Sequence, residues 1–311
     1  MSLLSKGTIS IKSPAKVNLH LEVIGKRKDG FHELAMIMQN IDLADYLDFE
    51  INQDGLIKLE SDCKNLSLDS DNLIVKSANL LRQVTNINLG ANIYLRKNIP
   101  IGAGLAGGSS NAAATLIGLN KLWNLRLENK IIHSLSERLG SDVPFFIDGG
   151  SQLCFGRGEI LERLNSRYEY GVILLKNPNI SISTAETYKR FSDKYSDKYN
   201  MSNEIISNVR NSLRNKNLNN ININEKSIKI KNDLQLVVQN ENDSVNQALY
   251  LLSKLSNCIT FAMSGSGPTC FALFENFEVA NKVFKENYIL FKNKGFDSWV
   301  CKSLDKGIIF I

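Results

Sequence analysis

The fold is decided by the region around residue 105, which reads Ile99-Pro100-Ile101-Gly102-Ala103-Gly104-Leu105-Ala106-Gly107-Gly108-Ser109-Ser110-Asn111-Ala112-Ala113-Ala114. Four glycines within seven residues let the backbone approach an anion closely and adopt positive φ angles. The alanines favour a helix, and Ser109, Ser110 and Asn111 are residue types that cap a first turn. Free N–H groups and the helix dipole bind phosphate at such an end. The stretch therefore predicts a phosphate-binding loop that leads into a helix.

The helix after this loop carries one apolar stripe. Ala112, Leu116, Leu119 and Trp123 follow one another at helical spacing. We therefore expect the helix to pack inwards and to hold the loop in place.

The glycine pattern alone leaves alternatives open. Gly102 to Gly107 also match G-x-G-x-x-G, the fingerprint of dinucleotide-binding oxidoreductases. That fingerprint follows the first strand of a βαβ unit and precedes a ribose-binding acidic residue, whereas here about a third of the chain comes first and Glu128 begins a helical pattern. No Gly-Lys-Ser/Thr completes a Walker loop. A glycine-rich turn without a ligand is the structural alternative.

Composition narrows the class of protein. The 311 residues, 43% of them apolar, suffice for two domains with ordinary cores. A net charge of +5 from scattered Lys and Arg residues is compatible with an anionic substrate and does not indicate a nucleic-acid partner. The five cysteines form no CxxC pair, which argues against disulfides and zinc and favours a reducing, cytoplasmic location. No segment resembles a membrane span or a signal peptide.

A strictly alternating pattern from residue 17 to residue 23 predicts a strand. Its polar face carries Lys16 and Asn18, next to Pro14 at the strand entry. Taken alone, this pattern favours the solvated face of an edge strand.

Two further short segments contain polar side chains in turns. Phe31 and His32 follow an Asp-Gly turn, and Asp142 follows a glycine that ends a helix. The Asp142 carboxylate lies among Val, Pro and Phe residues, where a charge requires a partner. The structural alternative is that Asp142 only caps the next short helix.

The remaining patterns divide the chain near residue 163. They predict a first domain over 1–162 and a second over 163–311, with a last strand that can return to the first domain. Asp71 is the expected N-cap of a helix that runs to about Val84. The stretch from Ser192 to Lys231 is rich in Asn, Lys and Ser, and we expect surface helices and loops without chemistry there.

Three separated motifs resemble one family. Pro-Ala-Lys-Val-Asn-Leu at 14–19, the glycine-rich run at 100–113 and Ser-Gly-Ser-Gly-Pro at 264–268 are similar, in this order, to the motifs of the GHMP small-molecule kinases. The resemblance spans nearly the whole chain. It implies a two-domain α+β fold with an N-terminal nucleotide-binding domain and a C-terminal ferredoxin-like α/β domain.

Further segments, at 29–34, 71–75 and 140–144, resemble the branch of this family that serves the non-mevalonate isoprenoid (terpenoid) pathway. The resemblance implies transfer of the γ-phosphoryl group of ATP, with Mg²⁺, to a hydroxyl of a methylerythritol that carries a cytidine diphosphate group. Two alternatives remain: a GHMP kinase for another small alcohol, such as homoserine, mevalonate or a sugar, and a nucleotide-binding module without catalysis. The sequence assigns no Mg²⁺ ligand and no oligomeric state.

The resemblance also implies roles for individual residues. Lys16 and Asp142 would be the catalytic pair, with Asp142 as the base and Lys16 as the charge partner, and Asn18 would orient the hydroxyl. The ATP phosphates would be bound by Pro100, Ile101, Gly102, Ala103, Gly104, Leu105, Ala106, Gly107, Gly108, Ser109 and Ser110.

On the acceptor side, the resemblance implies that His32 hydrogen-bonds the cytosine edge while Phe31 stacks on the ring. Tyr188 is the candidate for the opposite face of the base, and Thr184 would line the site. The family usually has Tyr where this chain has Phe31, which keeps the stacking surface and loses one hydroxyl.

Overall fold

The computed structural model describes residues 7–164, 169–196, 199, 201–215 and 230–311, which form two sheets covered by helices. The strands are β1 (Thr8–Lys26), β2 (His32–Asn52), β3 (Ile57–Ser61), β4 (Gly90–Arg96), β5 (Ser151–Gly156), β6 (Ile160–Leu164), β7 (Gly171–Lys176), β8 (Thr260–Met263), β9 (Cys270–Phe274), β10 (Asp297–Lys302) and β11 (Ile309–Phe310). The helices are α1 (Leu73–Thr85), α2 (Gly107–Leu122), α3 (Asn129–Glu137), α4 (Val143–Asp148), α5 (Thr184–Tyr195), α6 (Asn203–Asn215), α7 (Gln235–Glu241), α8 (Asp243–Ser253) and α9 (Phe277–Asn293).

The first sheet is built around the long strand β2. The strand order is β11-β1-β2-β4-β3, and β5 pairs with the first part of β2 and carries β6 on its other edge. Strand β2 pairs antiparallel with β1 over its length, with β5 at residues 34–39 and with β4 at residues 46–52. Because β11 pairs with β1, the C-terminal end of the chain lies in the first sheet.

The second sheet has the order β10-β7-β9-β8, with every neighbouring pair antiparallel. In chain order this is 4-1-3-2, and helices connect the first strand to the second and the third to the fourth. This is the split βαβ arrangement of ferredoxin-like folds. The boundary that we propose near residue 163 falls at β6, the last strand before this sheet begins.

The polar face of β1 is buried, so the interpretation as a solvated edge strand is wrong. Both faces of β1 are covered: Val17 and Leu19 pack in one core with residues of β7 and β9, and the polar face is buried as well. The Lys16 and Asn18 side chains are 4% and 1% exposed. A period of two assigns residues to opposite faces, but it does not reveal that a distant part of the chain covers the polar face.

Helix α2 lies against the first sheet and fixes the glycine-rich loop. Its stripe residues Ala112, Leu116 and Leu119 are fully buried, and Trp123 at its C-terminal end is 4% exposed, as the periodicity predicts. Helix α2 also packs on α1 and α4. The loop is therefore anchored by a helix with little freedom to move.

The N-cap of α1 differs from the prediction by one residue. Asn72, not Asp71, is the cap: its Oδ1 accepts a hydrogen bond from the Ile74 N–H at 2.9 Å. Asp and Asn cap helices about equally well, so two adjacent candidates are not separable by residue type.

The Asn-rich stretch is described only in part. Helix α6 lies within it and packs on β2 and β5, whereas residues 216–229 lie outside the described residues. None of the helices in the described ranges combines the length and the apolar character needed to cross a bilayer.

Candidate active site

A cleft of ≈1180 Å³ contains most of the residues to which the motifs point. Its walls come from the glycine-rich loop, β1, the β1–β2 turn, the start of α4, α5 and the loop between β8 and β9. Elements from both sheets therefore meet at this cleft.

Lys16 and Asp142 lie together in the cleft. Strand β1 places the Lys16 Nζ 3.6 Å from Asp142 Oδ2, and the same Nζ donates hydrogen bonds to Asn18 Oδ1 (2.5 Å) and to the Gly104 carbonyl (3.3 Å). The Asp142 side chain is 32% exposed, so it can be reached by a ligand. A cation held by two oxygen acceptors beside a reachable carboxylate suits proton transfer next to an anion.

Asp142 occupies the N-cap position of α4 without capping it. The structure has no hydrogen bond from an α4 N–H to its side chain, and Pro144 lies in the first turn. The carboxylate instead pairs with Lys16, 126 positions away in the chain. The alternative that Asp142 serves only as a helix cap is therefore wrong.

The Asn18 side chain is held between two parts of the site. Its Oδ1 accepts from Lys16, and its Nδ2 lies 3.6 Å from the Met36 sulfur. Its backbone N–H donates to the Ser264 hydroxyl (3.3 Å), which in turn donates to the Gly104 carbonyl (3.0 Å). Ser264 thereby joins the first and second motifs.

The glycine-rich loop depends on positive φ angles and close backbone approach. Gly102, Gly104 and Ala106 have φ angles of 61°, 72° and 54°. A Cβ atom at Gly104 would lie 2.3 Å from the Ser264 carbonyl oxygen, so this position requires glycine. The third motif thus packs directly on the second.

Helix α2 begins earlier than the capping prediction requires. Its N-cap is Ala106 in the left-handed region, with no side-chain cap, so Ser109, Ser110 and Asn111 lie inside the helix rather than at its cap. The Ser110 N–H bonds to the Ala106 carbonyl, which leaves the N–H groups of Gly107, Gly108 and Ser109 without partners inside the helix. Left-handed backbone replaces the side-chain cap and leaves these donors at the cleft.

Two residues of the predicted phosphate loop do not line the cleft. The Leu105 side chain is fully buried in the core, and its carbonyl accepts the Lys16 backbone N–H at 3.2 Å. The Ser110 hydroxyl is also buried; it donates to the Pro14 carbonyl and contacts Ser13 Oγ, both at 2.7 Å. Both residues attach the loop to β1.

The β1–β2 turn places Phe31 and His32 at another part of the cleft. The Phe31 ring is 50% exposed, with the Arg157 guanidinium 4.8 Å from its centroid. Tyr188 stacks on the His32 imidazole at 5.0 Å with 24° between the ring planes. Burial, together with the nearby Lys26 charge, lowers the pKa of His32 below its usual 6.5.

Helix α5 brings the second half of the chain to the cleft. Thr184 Oγ1 lies 2.8 Å from Ser266 Oγ, which belongs to the third motif. Farther along the helix, Ser192 Oγ lies 2.7 Å from His32 Nε2. Ser192 begins the stretch in which we expect no chemistry, and both Ser192 and Asp193 line the cleft.

Comparisons with known proteins agree with this geometry. The family model for the GHMP kinases N terminal domain matches residues 72–150, and the one for GHMP kinases C terminal matches residues 209–293. The 4-diphosphocytidyl-2-C-methyl-D-erythritol kinase of Prochlorococcus marinus (strain MIT 9312) is 70% identical over 311 residues, which is 100% of both chains. This chain belongs to that kinase family. The family predicted from the three motifs is confirmed.

Solved structures confirm the α+β fold class of this kinase. A crystal structure of a 4-(cytidine 5'-diphospho)-2C-methyl-D-erythritol kinase superposes with a TM-score of 0.70 at 24% identity, covering 94% of this chain and 98% of that chain. The homoserine kinase of Cytophaga hutchinsonii gives a TM-score of 0.65 at 18% identity, covering 100% and 99%. Since kinases named for different acceptors share the fold, the fold alone does not identify the acceptor.

The sequence motifs did not identify several residues that line the cleft of this kinase. Arg157 and Lys97 both line the cleft, and Lys97 forms a buried ion pair with Asp45, with 2.5 Å between Nζ and Oδ2. Lys97 lies three residues before the glycine-rich run, which is a local signal that could have been used. Arg157 and Ser192 lie in no motif, and no local pattern marks them.

Proposed function

We propose that this chain transfers the γ-phosphoryl group of ATP to a hydroxyl of 4-diphosphocytidyl-2-C-methyl-D-erythritol, a reaction of the non-mevalonate isoprenoid pathway. The observation that carries the proposal is the contact between Lys16 and Asp142, which lies in the same cleft as the glycine-rich loop and the Phe31–His32 pair. The full-length identity to the kinase of that name supports the choice of acceptor.

In the proposed reaction, Asp142 accepts the proton of the attacking hydroxyl. The acceptor oxygen forms a bond to the γ-phosphorus while the bond from that phosphorus to the bridging oxygen of ADP breaks. Lys16 offsets the negative charge on the attacking oxygen and on Asp142. Asn18, which is hydrogen-bonded to Lys16, orients the hydroxyl.

The nucleotide phosphates are assigned to the N-terminal end of α2. The free N–H groups of Gly107, Gly108 and Ser109 are donors of the kind that bind phosphate oxygens, and the helix dipole adds to their attraction. These donors are backbone groups, so their positions depend on the anchoring of the loop by Leu105 and Ser110 rather than on side-chain conformation.

Mg²⁺ is part of the proposal as a phosphate-bound ion. Within the described ranges, no group of three or more His, Cys, Asp or Glu side chains could hold a metal. This fits Mg²⁺, which keeps several waters and binds through substrate phosphates with few protein ligands. The Ser109 hydroxyl is an oxygen donor at this end of the cleft. When bound, the ion would neutralise phosphate charge.

The acceptor is assigned to the part of the cleft between the β1–β2 turn and α5. Phe31 provides an exposed aromatic face for a base, and His32 provides a neutral hydrogen-bonding group at neutral pH because its pKa is lowered. Thr184 and Ser266 provide hydroxyl groups nearby.

A panel of acceptors tests this function. ATP consumption by the purified chain would be measured with 4-diphosphocytidyl-2-C-methyl-D-erythritol, with methylerythritol phosphate lacking the cytidine group, and with homoserine, mevalonate and galactose. We expect turnover only with the cytidine diphosphate compound, and competition by CDP. Turnover with another alcohol would replace the proposed acceptor, and no turnover with any would support a binding module.

Asp142→Asn tests the base directly. Asn keeps the size of the side chain but does not accept a proton, so we expect a folded protein that binds ATP and has lost transfer by at least about 100-fold. Asp148→Asn, at the other end of α4 and paired with His133, is the matched control. Full activity of Asp142→Asn would exclude the base role.

A further inference from the structure

One side of helix α5 carries three cleft residues at a spacing of four: Thr184, Tyr188 and Ser192. Residues four apart lie on the same side of a helix. Thr184 is assigned to the acceptor site, and Tyr188 stacks on the His32 ring. Ser192 is the third, and neither the motifs nor the proposed chemistry explains why a hydroxyl is placed there.

The Ser192 hydroxyl belongs to a hydrogen-bond network of three side chains. Its Oγ lies 2.7 Å from His32 Nε2 and 3.3 Å from the Tyr199 hydroxyl. Tyr188 stacks on the imidazole and limits rotation of the ring. In the part of the chain that the structure describes, Nδ1 of His32 has no hydrogen-bond partner, so Nδ1 is the ring nitrogen left for a ligand.

The donor and acceptor strengths of the three groups indicate the direction of the hydrogen bonds between them. A phenol is a stronger donor than an aliphatic hydroxyl, and the bare nitrogen of a neutral imidazole is a stronger acceptor than a hydroxyl oxygen. This ranking favours donation from Tyr199 to Ser192 and from Ser192 to His32 Nε2. A neutral ring that accepts at Nε2 carries its proton on Nδ1.

We infer that Ser192 is a positioning residue that holds His32 in the Nδ1–H form, so that the ring donates a hydrogen bond to the base of the acceptor. This inference rests on the proposed function. Cytosine has acceptors at N3 and O2, whereas uracil has a hydrogen on N3. A donor fixed at His32 matches the N3 edge of cytosine and opposes that of uracil. Ser192 thus contributes to selection of the base without touching it.

Nitrogen-15 NMR of the imidazole rings tests the tautomer without any turnover. The chain has only three histidines, at 20, 32 and 133, and His32→Gln assigns the His32 signals. At pH 8 we expect the wild-type ring to show a protonated Nδ1 and a bare Nε2, and Ser192→Ala to show a mixture of tautomers. A wild-type ring protonated on Nε2, or an unchanged spectrum in Ser192→Ala, would overturn the inference.

Steady-state kinetics separate positioning from a structural role. For Ser192→Ala we expect KM for the cytidine diphosphate acceptor to rise about three- to tenfold, the effect of one hydrogen bond, with kcat and KM for ATP unchanged. Ser192→Thr keeps the hydroxyl and should restore KM. Ser196→Ala, at the exposed end of α5, is the matched control. Equal loss for both substrates, or no rescue by Thr, would contradict the inference.

The preference between cytidine and uridine acceptors provides a third test. The uridine diphosphate analogue should be a poorer acceptor for the wild type, and Ser192→Ala should narrow the ratio of kcat/KM between the two acceptors. An unchanged ratio would overturn the role in base selection. Absence of turnover in the wild type would instead contradict the proposed function, while the NMR result would still report on His32.

Discussion

The two ends of the cleft are built in different ways. The end that we assign to the nucleotide is lined mainly by one segment, residues 100–111, which offers mostly backbone groups, with Lys97 and the start of α1 beside it. The acceptor end is assembled from side chains of separate elements: the β1–β2 turn, the start of α4, α5 and the loop between β8 and β9. The two ends meet where Lys16 contacts both Gly104 and Asp142.

The difference agrees with the substrates that we propose for the two ends. Phosphate groups are alike in all nucleotides, and backbone N–H groups at a helix end suffice to bind them. A base must be distinguished by the donors and acceptors on its edge, which requires particular side chains in a particular arrangement. We therefore expect substitutions at the two ends to affect different substrates.

Lys16→Met would break the connection between the two ends. Met keeps the apolar stem of a side chain that is 4% exposed, but it removes the charge. We expect ATP to bind and the rate of transfer to fall about 100-fold or more, as for a lost charge stabiliser. Lys12→Met on the same strand, outside the cleft, is the control. Unchanged turnover of Lys16→Met would contradict the assignment.

Phe31→Ala would affect the acceptor end alone. Loss of the exposed ring should weaken binding of the cytidine diphosphate acceptor by about 1–3 kcal/mol, the usual effect of losing an aromatic surface for a base. Binding of each substrate by calorimetry would check this, with ATP affinity expected to stay constant. Phe261→Ala, a 39% exposed ring elsewhere, is the control. A lower melting temperature with normal acceptor affinity would point to a structural Phe31.

Gly104→Ala would affect the nucleotide end. The φ of 72° is unfavourable for alanine, and the new Cβ would lie 2.3 Å from the Ser264 carbonyl oxygen. We therefore expect the free energy of unfolding to fall by about 1–2 kcal/mol and KM for ATP to rise. In Gly108→Ala the nearest atom would be Leu73 Cδ1 at 3.8 Å, so we expect a smaller effect. Denaturant unfolding and ATP kinetics would compare them. Equal losses in both variants would argue against the packing explanation.

The smallest effect that we predict is a pH dependence confined to the acceptor. The pKa of His32 lies below 6.5 because the ring is buried and lies near Lys26. Since protonation is less favourable in the folded chain than in the unfolded one, acidification below 6.5 also lowers stability. As pH falls through the pKa, the ring gains a proton on Nε2, and KM for the acceptor should rise a few-fold while KM for ATP stays level. His32→Gln should remove this dependence; if the dependence persists, another group is responsible.

Much of the nucleotide end could be predicted because its signals are local. The glycines of the loop, the apolar stripe of α2 and the strand over residues 17–23 are read from neighbouring residues, and all three appear in the structure. The incorrect predictions at this end concern single neighbouring residues. Asn72, not Asp71, caps α1, and Ala106 in the left-handed region, not a serine, occupies the N-cap of α2. Leu105 and Ser110 belong to the motif but serve as anchors.

The acceptor end could be predicted only where a motif marks it. Lys16 and Asp142 come from motifs 126 residues apart, and neither strand period nor turn chemistry brings them together. Ser192 begins a polar stretch that resembles ordinary surface sequence, and its importance follows only from the distance to His32.

Local sequence, through backbone conformation and helix periodicity, is sufficient to specify the glycine-rich loop and the helix behind it. The tertiary structure decides whether the polar face of β1 meets solvent or a ligand, and which distant hydroxyl reaches His32. The physical reason is that burial and hydrogen-bond pairing depend on contacts between parts of the chain that are far apart in sequence, whereas turns and helices depend on near neighbours.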